Sequence, residues 1–188
     1  MAFIVLYDSN VLYPNTVRDL LIRLAQHGIV QAKWSEQILD EVQEALRRNN
    51  VGDGEKRTEL RRRMNAAVRD CLVTGYESLI EGLKLPDPDD RHVLAAAIRA
   101  GAQVLVTDNR KHFPPDYLAD WGIERKTADD FVMDLIDLDD RVVYGCVMEI
   151  ANSRTRTPVT FDDILDQLER SQLIGAVSLL RAGPNPSA

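Results

Sequence analysis

Five consecutive apolar residues, Phe3 to Tyr7, run directly into Asp8. A strand with one wet face alternates apolar and polar residues. An unbroken apolar run of this length belongs instead to a strand covered on both faces. Such strands occur in parallel sheets, whose crossover connections lay helices on the two sides. The sequence that follows supplies the crossovers. Val17, Leu20, Leu21, Leu24 and Ala25 recur at helical spacing, Thr16–Asp19 has the pattern of a capping box, and Ile29–Trp34 reads as a second strand. Ser35 opens a helix carried by Ile38, Leu39, Val42, Ala45 and Leu46. Asn49–Gly54 is a break, and helical segments are predicted over Glu55–Leu72 and Tyr76–Leu83. After Pro86-Asp87-Pro88, Val93–Ala100 reads as a helix closed by Gly101. Val104–Thr107 and Gly122–Arg125 read as strands, and Thr127 caps a helix starting near Ala128. Strands alternating with helices predict an α/β fold with a parallel sheet.

A length of 188 residues suits one domain with an extension. The character changes near Leu138: residues 1–138 read as the α/β domain and 139–188 as a small helical extension, an oligomer or partner surface. Within it, Thr160–Asp163 resembles a capped helix start, and the tail Ala182–Ala188 is expected to fray. Apolar residues at 45% and charged residues at 28% argue against disorder. No apolar run approaches the 18 or so residues of a membrane helix, and MAFIVLYDSN lacks the basic start of a secretory signal. Cys71 and Cys146 are isolated, which fits a reducing cytoplasm rather than a disulfide or zinc framework. The net charge of −7 excludes whole-chain basicity, so any nucleic-acid binding must come from a local patch or through a metal ion. Arg47–Arg69 carries eight basic residues against three acids, a pattern of either a phosphate footprint or a solvated helix face.

Ligands of open parallel sheets bind beyond the carboxyl ends of the strands. Asp8 and Asp108 stand there, each directly after a predicted strand. Helical phase selects two more acids. With Asp90 at the origin, Val93, Leu94 and Ala97 fall within about 60° of it, while Asp89 lies about 100° away. Asp90 therefore projects along the buried side of its helix, with Asp87 as N-cap and Pro88 at the first position. On the Ser35 helix Glu41 lies at the edge of the apolar arc and Asp40 on the far side; Asp19 likewise faces away from its apolar stripe. Carboxylates converging on one crevice repel unless a hard cation joins them, and an all-oxygen set selects Mg²⁺ or Mn²⁺. The chemistry implied is hydrolysis of a phosphodiester. Motifs for dinucleotide binding, a P-loop, a zinc protease or a serine hydrolase are missing. His27, His92 and His112 are scattered, as surface or satisfied core histidines usually are.

Four pieces in order resemble the PIN domain, the nuclease fold of VapC-type toxins, over roughly residues 3–135: the strand ending Asp8-Ser9-Asn10-Val11-Leu12 with Pro14 and Arg18-Asp19-Leu20-Leu21; Trp34-Ser35 with Ile38-Leu39-Asp40-Glu41-Val42; Pro86-Asp87-Pro88-Asp89-Asp90-Arg91-His92-Val93-Leu94-Ala95-Ala96-Ala97; and Val106-Thr107-Asp108-Asn109 with Phe113-Pro114. The resemblance implies a three-layer α/β/α sandwich and a metal-dependent ribonuclease site. Asp8, Glu41 and Asp90 match the family's first three acids. The fourth position departs: Asn109 stands where the usual acid does, so either its amide oxygen or an inward-turned Asp108 completes the shell beside the metal ligands Asp8 and Asp90. Arg110 and Lys111 are candidates for RNA phosphates. An antitoxin partner and homodimer formation are further implications of the resemblance. The expected function is an Mg²⁺- or Mn²⁺-dependent endoribonuclease toxin. An RNA- or partner-binding module that does not cut, and a small-molecule phosphatase, are the alternatives.

Overall fold

The computed structural model describes residues 3–183. In chain order the elements are β1 (Phe3–Tyr7), α1 (Ser9–Leu12), α2 (Asn15–Gln26), β2 (Val30–Ser35), α3 (Glu36–Arg48), α4 (Gly54–Ala67), β3 (Leu72–Val73), 3-10 segments at Glu77–Gly82 and Pro88–Asp90, α5 (Arg91–Ala100), β4 (Val104–Val106), α6 (Pro115–Ala119), β5 (Glu124–Lys126), α7 (Ala128–Ser153), α8 (Phe161–Arg170) and α9 (Ile174–Ala182). The expected fraying of Ala182–Ala188 concerns, from Pro184 onward, a stretch outside the described residues.

All strand pairings are parallel, in the order β3-β2-β1-β4-β5. The opening apolar run lies at the centre, Val5 pairing with Ala32 on one side and Val104 on the other. Val5 and Leu6 point to opposite faces and neither is exposed to solvent, so helices cover both sides. This is the expected α/β/α sandwich. Strand order reverses between β1 and β4, and a ligand crevice opens beyond the carboxyl ends of strands at such a point.

Most local start and stop signals hold. Ser35 accepts from Ile38 N, Thr127 from Asp130 N, and Thr160 with Asp163 forms a complete capping box. Gly101 ends α5 in the left-handed region at φ 65°, which a glycine adopts without steric cost.

Four readings need correction. The Thr16–Asp19 capping box does not form. Pro14, extended at φ −67°, sets the helix start two residues earlier, so Thr16 lies inside the first turn and donates to Gln167 on α8, while Asp19 accepts from Arg23. The segment read as helix to Leu72 stops at Ala67: Val68 is extended, Asp70 has φ 51°, and Leu72–Val73 pairs with Trp34–Ser35 as the edge strand. The Tyr76–Leu83 segment is a 3-10 helix over Glu77–Gly82. The last strand is shifted to Glu124–Lys126, in register with β4.

After β5, α7 runs to Ser153 with a backbone break at Asp139 (φ −158°, ψ 89°). Beyond it Val143, Cys146, Val147 and Ile150 enter the same apolar core as the sheet, and α8 and α9 pack on α7. Asp129 of α7 accepts from Gly175 N (2.9 Å) and Ala176 N (2.8 Å), satisfying orphan amides at the start of α9. Among the described residues no helix is long and apolar enough to cross a membrane.

Candidate active site

Asp8 leaves β1 at the switch point and caps α1, its Oδ1 accepting from Ser9 N at 2.7 Å. Its Oδ2 accepts from the Thr107 hydroxyl at 2.6 Å and from Asn10 Nδ2 at 2.5 Å. The Thr107 oxygen in turn accepts from Asn10 Nδ2 (3.0 Å) and Asn109 N (3.1 Å), so one hydroxyl ties the ends of β1 and β4 together. Arg18, almost fully buried, donates to Leu12 O and Tyr13 O and holds the far end of α1. Asp8 is only 3% exposed. Burial pushes its carboxyl up, the bonds from Thr107 and Ser9 pull it back, and the charges of Glu41 and Asp90 push it up again, to about 6. Those two charges reach Asp8 only because α3 and the start of α5 converge on the same strand ends.

Glu41 lies at the half-buried edge of α3, and one carboxylate oxygen meets His92 Nε2 at 2.6 Å. Burial pushes this carboxyl up, but hydrogen bonds from His92 and Ser9 outweigh it and hold the group below its ordinary value. Asp40, one residue away, is exposed and paired with Arg61.

Asp90 ends the 3-10 turn Pro88–Asp90, whose N-cap Asp87 accepts from Asp89 N. Its Oδ2 lies 2.7 Å from His112 Nδ1 and accepts from Asn109 Nδ2 at 3.2 Å. Burial raises the Asp90 carboxyl, and the charges of Asp87 and Glu41 add to this against the pull of His112. Asp87 Oδ2 stands 3.4 Å from the same His112 nitrogen. Of the two candidates after β4, Asn109 is the one bonded to Asp90; the Asp108 carboxylate accepts instead from Ala128 N (3.1 Å), at the first turn of α7. Lys111 and Arg110 are exposed on the same loop, Arg110 at 3.9 Å from Asp130.

His92, His112 and Asp87 are the residues that sequence reasoning passed over. Asp87 had a sufficient explanation as a cap. Each histidine gains its partner from another segment, and no local pattern marks such a contact.

One ligand atom each from Asp87, Asp90 and His112 lies within 4.8 Å of the others. Among the described residues no Lys or Arg forms an ion pair with Asp8, Glu41, Asp87 or Asp90. Carboxylates without a Lys or Arg partner, beside one imidazole, fit a hard or borderline divalent cation. The basic stretch differs. Arg47 pairs with Glu44, Arg62 and Arg63 with Glu59, and Arg61 with Glu36 and Asp40, so much of its charge is already answered on its own helices. A cavity of about 560 Å³ between α7 and α9 and one of about 420 Å³ between α2 and α4 contain none of the site acids. Chemistry rather than cavity size locates the site.

The family model "VapC50 C-terminal domain" matches residues 128–182. "Putative ribonuclease VapC50" of Mycobacterium tuberculosis (strain ATCC 25618 / H37Rv) is 38% identical over 98 residues, 52% of this chain and 57% of that protein. The chain thus spans just over half the length of this curated relative. No solved structure gives a significant match. The family model "PIN domain" matches residues 4–111, more than half of the chain and the whole of the stretch that carries Asp8, Glu41, Asp90 and Asn109, and on that match the chain belongs to the PIN domain family.

Proposed function

We propose that the chain is a metal-dependent endoribonuclease, the toxin of a type II toxin–antitoxin pair, working in a reducing cytoplasm. The observation that carries this reading is the buried Asp8 at the switch point, fixed by Thr107 and Asn10, with Glu41 and Asp90 close enough for their charges to act on it. Asp8 and Asp90 would hold Mg²⁺ or Mn²⁺, with Asn109 lending its amide oxygen and Asp87 and His112 standing beside Asp90. Such an ion, when bound, polarises a phosphoryl oxygen and acidifies water. The chain's own groups do the rest. Thr107 and Asn10 fix Asp8, Glu41 orients the attacking water and takes its proton, and Arg110 and Lys111 meet backbone phosphates. An antitoxin would cover this crevice, and residues 139–188 are offered as a helical extension and partner or dimer surface.

One feature favours a second reading. Asn109 brings an N–H to Asp90 rather than a charge, as suits a module that binds RNA or a partner without cutting. Incubating RNA with the folded, inhibitor-free protein in EDTA, Mg²⁺ or Mn²⁺, beside Asp8→Asn and Asp90→Asn, decides between them. Cleavage that needs the ion and is lost in both variants is expected. Intact RNA under every condition, with RNA retained on the protein, would move the binding module forward. Phosphate release from simple monoesters alone would indicate a phosphatase.

A further inference from the structure

Among the described residues at the crevice, His92 is a buried titratable side chain that the mechanism above does not use. We propose that it is a positioning residue, whose Nε2–H holds the Glu41 carboxylate in the orientation from which it takes the proton of the attacking water. The inference rests on the nuclease reading of the site.

Three observations carry it. First, the contact is short, 2.6 Å, and unequal: the imidazole is 2% exposed, whereas the Glu41 side chain is 40% exposed. A half-exposed glutamate samples several rotamers, and a bond to a buried ring removes that freedom before substrate arrives. Second, His92 lies in the first turn of α5, two residues after Asp90, and α5 packs on β1 and β2. The same rigid helix start therefore bears Asp90 directly and holds Glu41 through the imidazole, which lies 51 residues from Glu41 in the chain, so the two acids share a single frame. Third, His92 Nδ1 is buried without a hydrogen-bond partner. A proton there would leave a buried N–H with no acceptor. A single proton on Nε2 leaves only an unused lone pair. That tautomer donates to Glu41.

The test uses the full chain with two substitutions. His92→Phe keeps a ring and removes the donor; His92→Gln places an amide N–H near the former Nε2. Folding is followed by circular dichroism, RNA cleavage as kcat and KM, and Mn²⁺ affinity by calorimetry. The expected result for His92→Phe is a folded protein with kcat lowered about 10–100-fold. Its Mn²⁺ affinity should stay within about threefold of wild type, because Glu41 acts on water rather than as a main ligand. His92→Gln should recover most of the loss. A folded His92→Phe that cuts at the wild-type rate overturns the inference, as does a loss that His92→Gln does not relieve. Should His92→Phe fold poorly, long-range ¹H–¹⁵N spectra of the wild type decide. An Nε2–H tautomer whose signal moves in Glu41→Gln supports the proposal, and an Nδ1–H tautomer or an unmoved signal overturns it. A wild type that neither binds Mn²⁺ nor cuts RNA refutes the nuclease reading itself and takes the inference with it. A cutting wild type beside an equally active His92→Phe refutes only the role of His92.

Discussion

Asp8 should cost the metal-free protein stability, and the cost should follow pH. Its carboxyl stands at about 6 in the folded chain against 3.8 as a free group. Between those values the folded state binds more protons than the unfolded one, so stability falls as pH rises. The full difference corresponds to about 3 kcal/mol, present as lost stability above the folded value. About 2 kcal/mol of it falls between about pH 4.5 and about pH 7.5. For a chain of this size that is a drop in Tm of about 4–8 °C. Asp8→Asn removes the group that ionises. The variant leaves one of the bonds from Ser9 N, Thr107 and Asn10 badly matched, which shifts its stability at every pH but not the slope. Thermal melts of wild type and Asp8→Asn in EDTA, run across this range, therefore isolate the effect. Every other carboxyl is common to both proteins, and only the difference between the curves is read. The wild type should lose about 2 kcal/mol more than the variant over the range. Saturating Mn²⁺ at neutral pH should restore the wild type and leave Asp8→Asn unchanged. Parallel curves in EDTA would refute the reasoning, since they would mean that burial and the charges of Glu41 and Asp90 do not hold the Asp8 carboxyl up.

Two further outcomes separate site from scaffold. Asp108→Ala should lower stability by about 1 kcal/mol through the lost acceptor for Ala128 N and leave RNA cleavage near wild type, whereas Asn109→Ala should lose cleavage with little change in Tm; gel assays and melts on the pair check this. Asp129→Ala should cost about 2 kcal/mol by orphaning the first amides of α9, and Gly175→Ala about 1–3 kcal/mol because its new Cβ would press on Met133 and lie 3.2 Å from Asp129 Oδ2. Hydrogen exchange should show faster opening of α9 in both.

What could be read from the sequence was either periodic or local. The central strand is legible because burial on both faces leaves no room for polar alternation, and Asp8 is legible because it ends that strand. Helical phase picks out Asp90 over Asp89 and Glu41 over Asp40 by the direction in which each points, and the exposed Asp40–Arg61 pair lies where the phase placed Asp40. The edge strand Leu72–Val73 escaped because two residues display no period and its pairing with Trp34–Ser35 is a long-range event. The choice between Asp108 and Asn109 escaped for the same reason, since the amide that engages Asp108 belongs to Ala128 across 20 residues of chain. The basic stretch shows both cases at once. The spacing of Glu44 with Arg47, and of Glu59 with Arg62 and Arg63, is the familiar helix-face pairing of the sequence itself, but the capture of Arg61 by Glu36 and Asp40 depends on how α3 and α4 pack. The acids of the crevice are thus found by local rules, whereas the groups that set their ionisation and aim (Thr107, His92 and His112) reach them from other segments. A search confined to acids at strand ends and helix starts recovers the donors proposed for an ion. The proton chemistry proposed for Glu41 comes into view only when the buried imidazole beside it is included.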